Sequence, residues 1–257
     1  MIPKIIHYCW FGRNPLPPLA QKCIASWRKF LPDYEIKEWN EDNFDVNIIP
    51  YTAEAYKQKK YAFVSDYARF WILYQHGGLY FDTDVEIIRP LDDIIAKGPF
   101  MGFELDSDGE NSPLKYAPKY AFSVNLGLGF GVMRSHPFMK MMLDIYNNLS
   151  FKIPDGSPYY KTIVSYTTLA LIEFGLVNKK GIQKLEDLTI YPSEYFAPIN
   201  VITGRLHTTK NTRTIHHYMA SWDEKKRKTV KDYLRHYMPE FVLLLMNKFK
   251  RYKYRIQ

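Results

Sequence analysis

The chain has 257 residues, 46% of them hydrophobic and 16% aromatic, with 35 Lys and Arg against 27 Asp and Glu and a formal net charge of +8. This length suits one α/β domain with room for a small appendage and is enough to bury a large core. The charge favours anionic partners without choosing among nucleotides, nucleic acid and an acidic membrane. Two cysteines, Cys9 and Cys23, fit neither a disulfide framework nor a zinc pattern, which points to a reducing compartment.

In chain order, residues 1–4 lead straight into a strand-like run with no secretory leader pattern. Residues 5–11, IIHYCWF, are β-branched and aromatic and end at Gly12, so they read as the first strand of a central sheet. A proline loop at 15–18, a helix at 19–30 and a strand at 34–39 follow. This β-α-β start predicts a parallel pair with a right-handed crossover.

The stretch 61–88, YAFVSDYARFWILYQHGGLYFDTDVEII, carries the strongest signal. Phe63, Tyr67, Phe70, Trp71 and Tyr74 recur at spacings of three and four, one buried face of a helix. Ser65 and Asp66 sit near its start, placed to cap amides or meet a ligand. Gly77 and Gly78 end the helix, and 79–81 read as a short buried strand delivering Asp82 and Asp84. On an extended strand these two carboxylates would face the same way, roughly 6.5 Å apart along the backbone. Like charges that close need a cation between them, and a divalent ion completed by phosphate oxygens and water is the simplest one. The position also matches where open α/β sheets bind ligands, at the carboxyl ends of strands.

Further on, 92–95 predict a short helix, 100–104 a strand, and 105–120 a long loop, of a length that is often functional. Residues 124–133 read as a strand with alternate glycines. Their G-x-G-x-G is weak as a dinucleotide fingerprint, but glycine in a strand marks close approach by a backbone or a ligand. Helices are predicted from His136-Pro137 to Tyr146 and over 165–174, with a turn at 155–160 between them. Near the C-terminus, His216 and His217 offer the imidazole that suits Mn²⁺ beside two carboxylates; neighbours on a strand face opposite ways, so one of them serves. After residue 222 the chain is basic: Lys225, Lys226, Arg227 and Lys228 precede an apolar run at 241–246, too short to cross a bilayer, and then Lys248, Lys250, Arg251, Lys253 and Arg255. That pattern fits either an interfacial helix on an anionic membrane or a solvated helix packed on the core. No nucleic-acid module accompanies the charge.

Ser65-Asp66, Arg69, Gly77-Gly78-Leu79-Tyr80 and Asp82-Thr83-Asp84 together resemble the sugar-nucleotide-binding region of the D-x-D glycosyltransferases of family 32. That group includes bacterial capsule and exopolysaccharide transferases and fungal α-1,6-mannosyltransferases, and is related in fold to the clostridial glucosylating toxins. The resemblance implies a GT-A-type, Rossmann-like catalytic domain over 1–222, with a mostly parallel central sheet flanked by helices, and a basic helical extension over 223–257. It implies retaining transfer of a hexosyl unit from a nucleotide-diphosphate sugar, UDP-linked first and GDP-linked as the alternative, to a glycan or lipid-linked glycan acceptor in polysaccharide biosynthesis. Mn²⁺ or Mg²⁺ is the implied cofactor. The implied setting is bacterial and cytoplasmic, at the inner face of the plasma membrane.

The implied roles fall on particular residues. Asp84 is the first metal ligand, Asp82 meets metal or ribose, and His217 is preferred over His216 as third ligand because of its spacing to Ser221 and Trp222. Asp66 accepts hydrogen bonds from the ribose or donor-sugar hydroxyls and Arg69 pairs with the same sugar or with phosphate, beside the donor-binding Ser65. Trp10 stacks on the base, with Asn40 as a weaker candidate for the same pocket, and Tyr80 lines that pocket. Asn125 contacts the donor sugar, and Ser221 and Trp222 close over the β-phosphate. The family's Thr-Gly-Pro element is missing around Thr167 and Thr168. Two rivals remain: a glycoside hydrolase, whose carboxyls must flank the scissile bond, and a noncatalytic sugar-nucleotide or glycan-binding protein on the same fold.

Overall fold

A computed structural model describes residues 1–107, 122–152, 162–200 and 204–219. The first β-α-β unit forms as expected: β1 (Ile5–Cys9), α1 (Pro18–Phe30) and β2 (Glu35–Trp39), with the two strands parallel. Pro18 at the first turn of α1 suits a position whose N–H has no helical partner, and Arg28 and Lys29 complement the C-terminal dipole. Next come α2 (Pro50–Lys57) and α3 (Tyr61–His76). Gly77 stops α3 at φ +64°, where an added Cβ would meet the Arg134 backbone nitrogen at 2.6 Å, so only glycine makes this turn freely.

Beyond the turn lie β3 (Gly78–Tyr80), β4 (Val85–Ile87), α4 (Asp92–Ile95), β5 (Phe100–Leu105) and β6 (Ser123–Val124). A single 3-10 turn, Leu126–Leu128, separates β6 from β7 (Phe130–Val132), so the expected strand over 124–133 is two strands and a turn. The chain continues through α5 (Pro137–Asn147), α6 (Ile163–Glu173), β8 (Gln183–Leu185), β9 (Leu188–Tyr191), α7 (Ser193–Phe196) and β10 (Thr214–His216).

The main sheet runs β2-β1-β3-β7-β5-β9-β8, with β6 added to β5. Strands β2, β1, β3, β5 and β9 share one direction, and β6, β7 and β8 run against it. Strand alternation sends Tyr80 into the apolar layer under α2, α3, α5 and α6, and Leu79 and Phe81 into the opposite layer beneath α1. Phe70, Phe81, Phe100, Phe103 and Phe130 are completely or almost completely buried, each contributing about 1.5–3 kcal/mol of hydrophobic burial. A second, two-stranded antiparallel sheet joins β4 to β10, with His216 opposite Val85. This small sheet joins the two ends of the candidate site.

Candidate active site

The D-x-D segment is a turn, in contrast to the strand expected from sequence. β3 ends at Tyr80, and the Val85 N–H donates to the Asp82 carbonyl at 3.0 Å, folding the chain over Thr83 and Asp84 into β4. The reason is pairing: Tyr80 still lies in register with Phe130, whereas Val85 pairs with His216 in the other sheet. The carboxylates nevertheless converge. Ligand atoms from Asp82, Asp84 and His216 all lie within 4.8 Å of one another.

Each side chain is fixed by packing behind it. Asp84 is buried, its Oδ1 lies 3.1 Å from His216 Nε2, and its Oδ2 accepts from the Met219 N–H at 2.8 Å. Burial pushes the Asp84 carboxyl up, but the His216 contact and the amide outweigh it and hold it below the ordinary carboxylate range. The same pairing holds the His216 imidazole above its ordinary value despite burial. The turn itself is anchored by Trp27, whose Nε1 donates to the Val85 carbonyl at 2.7 Å, and by Ser26 Oγ accepting from the Ile87 N–H.

His217 does not face the aspartates. Its N–H donates to the Asp84 carbonyl at 3.0 Å, but its ring meets Glu86 at 2.9 Å, where Lys22 also pairs. Because neighbouring residues alternate sides, β10 can direct one histidine inward, and the register with Val85 selects His216.

On the other side of Asp82 stands a buried Arg69. Its guanidinium lies 3.3 Å from Asp82 Oδ1 and 3.3 Å from Asp66 Oδ1, its Nε donates to the Ser65 carbonyl, and it sits 4.9 Å over the Tyr80 ring. Desolvation works against the Arg69 charge, but Asp82, Tyr80 and Asp66 more than restore it. Asp66 is pushed up to about 7, chiefly by burial, with Arg69 opposing and Asp82 adding to the rise. Ser65 and Asp66 lie in the second turn of α3 and do not cap it; Ser65 Oγ donates back to the Tyr61 carbonyl at 3.3 Å. Tyr80 is 1% exposed, so it supports Arg69 from beneath and offers no ring face to a nucleotide.

Two residues that sequence reasoning did not name as site residues complete the cluster. Gly127 passes so close to Asp82 that a Cβ would overlap the carboxylate, and its carbonyl accepts from the Asp82 N–H at 3.2 Å. This is the close approach that the alternate glycines suggested, made by a neighbouring side chain. Glu104, at the end of β5, accepts from Asn125 Nδ2 at 2.9 Å, while Asn125 Oδ1 caps the Gly127 N–H at 2.7 Å. One carboxylate in the otherwise apolar run Phe100–Leu105 was the available signal.

Trp10 lies just past the carboxyl end of β1, partly exposed, with Nε1 donating to the Asn14 carbonyl at 2.6 Å; β1 neighbours β3, so it shares the sheet end of Asp82. Asn40 is taken up in a turn, its Nδ2 bonded to Glu38. Ser221, Trp222, the extension over 223–257, the turn at 155–160 and all but the first residues of the 105–120 loop lie outside the described residues.

The region 17–101, which contains Asp66, Arg69, Asp82 and Asp84, matches the family described as glycosyltransferase sugar-binding region containing DXD motif. A glycosyltransferase of Acanthamoeba polyphaga mimivirus is 26% identical over 230 residues, covering 86% of this chain and 84% of its own length. Inositol phosphoceramide mannosyltransferase 3 of Schizosaccharomyces pombe is 30% identical over 125 residues, 47% of this chain and 35% of its own length, so the chain spans about a third of that relative. Among solved structures, PaToxG glycosyltransferase superposes with a TM-score of 0.46 at 19% identity over 67% of this chain and 69% of that one. Residues 17–101 thus match the DXD-containing sugar-binding region, with the carboxylate pair gathered into one site, and over most of its length the chain is similar to a glycosyltransferase.

Proposed function

We propose that the protein is a metal-dependent, retaining hexosyltransferase that moves sugar from a nucleotide diphosphate to a glycan or lipid-linked acceptor in polysaccharide biosynthesis. The observation that carries this reading is the convergence of Asp82, Asp84 and His216 beside the buried Arg69. Two carboxylates and one imidazole suit a borderline divalent ion such as Mn²⁺. His216 Nδ1 is also buried without a hydrogen-bond partner among the described residues, which fits a group still to be engaged there. Asp82, Asp84 and His216 would hold the metal, and when bound it would offset the charge that develops on the departing diphosphate.

The chain's own residues supply the rest. Arg69 holds Asp82 in place through its paired contact with Asp66, and its positive charge favours an anionic donor at this end of the sheet. Glu104 and Asn125 fix the Gly127 turn that sets the Asp82 backbone. Trp10, partly exposed at this sheet end, is an aromatic available for a base. Asp82 and Asp84 lie on one tight turn, which suits a shared cation better than attack from opposite faces of a sugar, so the hydrolase reading is the weaker one.

The names of the fungal relatives favour mannose as one sugar to test and a phosphoinositol-containing lipid as one acceptor. The bacterial capsule setting rests on the family resemblance alone, since these relatives are viral and fungal. The test is nucleotide release from a panel of UDP- and GDP-sugars with Mn²⁺, with chelator, and with Asp84→Ala. We expect one donor to turn over only with metal and only with Asp84 present. Donor affinity without release under any acceptor would favour the binding-protein reading, and no metal effect at all would make the aspartate pair structural.

A further inference from the structure

Large apolar side chains on the described surface are few. They are Met1 at the terminus, Leu206, and three within one short stretch: Leu169 on α6, 37% exposed, and Val177 and Ile182, 50% and 52% exposed. Val177 and Ile182 flank the loop between α6 and β8, FGLVNKKGIQKL over 174–185, which carries Lys179, Lys180 and Lys184 and no acidic residue. All three lysines are exposed.

This loop is held from within. Gln183, 6% exposed, accepts from the Val177 N–H at 3.2 Å and donates to the carbonyls of Val177 and Lys179 at 3.0 and 2.9 Å. Leu176 is buried, and its N–H donates to the Leu171 carbonyl at 2.7 Å. A buried amide spanning the loop base therefore fixes Val177 and Ile182 in the open, where exposing them costs hydrophobic free energy unless something covers them.

We infer that the 177–184 loop is a docking surface for an anionic lipid bilayer. Two apolar side chains on a braced turn suit insertion at the headgroup level, and three lysines beside them match phosphate headgroups in charge while their alkyl stems lie along the apolar surface. Along the sequence the nearest acidic residues are Glu173, at the end of α6, and Glu186 and Asp187, in the β8–β9 turn at the far end of the hairpin, where Asp187 is engaged by His136; Asp106, beside the Ser107 that meets Asn178, has its carboxylate taken up by Ser193. Placement agrees with a membrane-bound acceptor. β9 runs parallel to β5, and Gln183 lies beside Ile190, so the loop leaves the hairpin at the sheet end where β5 carries Glu104. Asn178 and Ser107 Oγ are in contact, tying the loop to the segment just beyond β5.

Vesicle flotation of the full chain tests this without any donor, so its outcome is separate from that of the transferase assay. The vesicles are phosphatidylcholine alone and phosphatidylcholine with a third phosphatidylglycerol, at low and physiological salt. We expect binding to the anionic vesicles, a loss of about tenfold or more in the double variant Val177→Asp/Ile182→Asp, and a similar loss in Lys179→Glu/Lys180→Glu/Lys184→Glu. The control Lys29→Glu/Lys57→Glu/Lys97→Glu, with equal charge change elsewhere on the surface, should stay within about twofold of the parent. Equal loss in that control, or unchanged flotation of the aspartate pair, overturns the proposal. So does sedimentation velocity showing that Val177→Asp/Ile182→Asp turns a self-associating chain into a monomer, since a second copy would then be what covers the patch.

Discussion

At the scale of single residues, the site is organised around contacts that tolerate little change. Gly127→Ala would place a methyl against the Asp82 carboxylate. Asp82 must then move, so donor turnover should fall by about 100-fold or more while overpacking costs only about 1–3 kcal/mol of stability. Activity and thermal unfolding of the same preparation separate the two effects. Arg69→Ala acts differently, because it leaves Asp66 and Asp82 without the guanidinium that faces both. We expect a loss of about 3 kcal/mol, characteristic of breaking a buried pair, with Arg69→Lys recovering part of the stability but little activity, since a point charge cannot serve both carboxylates in a planar fork. Urea unfolding and nucleotide release on both variants check this.

At the scale of elements, helix α3 was legible from the chain alone because its apolar residues repeat with helical spacing over 16 residues and its end is punctuated by Gly77. The β-α-β start was legible for the same reason: long, patterned runs. The small sheet was not, because β4 and β10 are three residues each, too short to show a period, and their pairing depends on register between distant parts of the chain. That gap explains both corrections at the site. Without β4, Asp82 and Asp84 read as strand residues; without the Val85–His216 rung, the choice between the two histidines rests on spacing to a motif further along, which points to His217. Gly127 was visible as an anomaly, but only the fold could identify Asp82 as what approaches it. The anchoring of this turn predicts that Trp27→Phe, which removes the hydrogen bond to the Val85 carbonyl while keeping an aromatic ring, destabilises by about 1–3 kcal/mol and weakens metal binding. Calorimetric titration of Mn²⁺ beside thermal unfolding would reveal both effects.

For the whole molecule, pH dependence separates the two flanks of the site. Asp66 has a folded pKa raised to about 7 from an ordinary 3.8, so between those values the folded state keeps a proton that the unfolded state has lost. Stability from this group therefore declines as pH rises across that window. His7 opposes it: burial lowers its pKa from 6.5 to about 4, and it costs stability as pH falls across that range. The contribution of Asp66 is best read as a difference. Asp66→Asn should gain on the order of 2 kcal/mol relative to the parent between about pH 4 and 7 in metal-free buffer. His216 has a raised pKa, so its pairing with Asp84 is fully present below the ordinary imidazole value and is lost as pH rises through the folded one. If a cation replaces that proton, Mn²⁺ should raise the melting temperature more at pH 8 than at pH 6; an equal or reversed effect would sink the assignment of His216.

The rung between Val85 and His216 also has a consequence in time. A polypeptide is made from its amino terminus, so the carboxylate turn, its arginine and the glycine behind Asp82 all emerge well before the imidazole that β10 brings to them. Until that late strand docks, β4 has no partner in its sheet, and the aspartates stand without their histidine. Synthesis order thus sets the assembly order: the third side chain of the cluster arrives only when β10 has been made and pairs with β4.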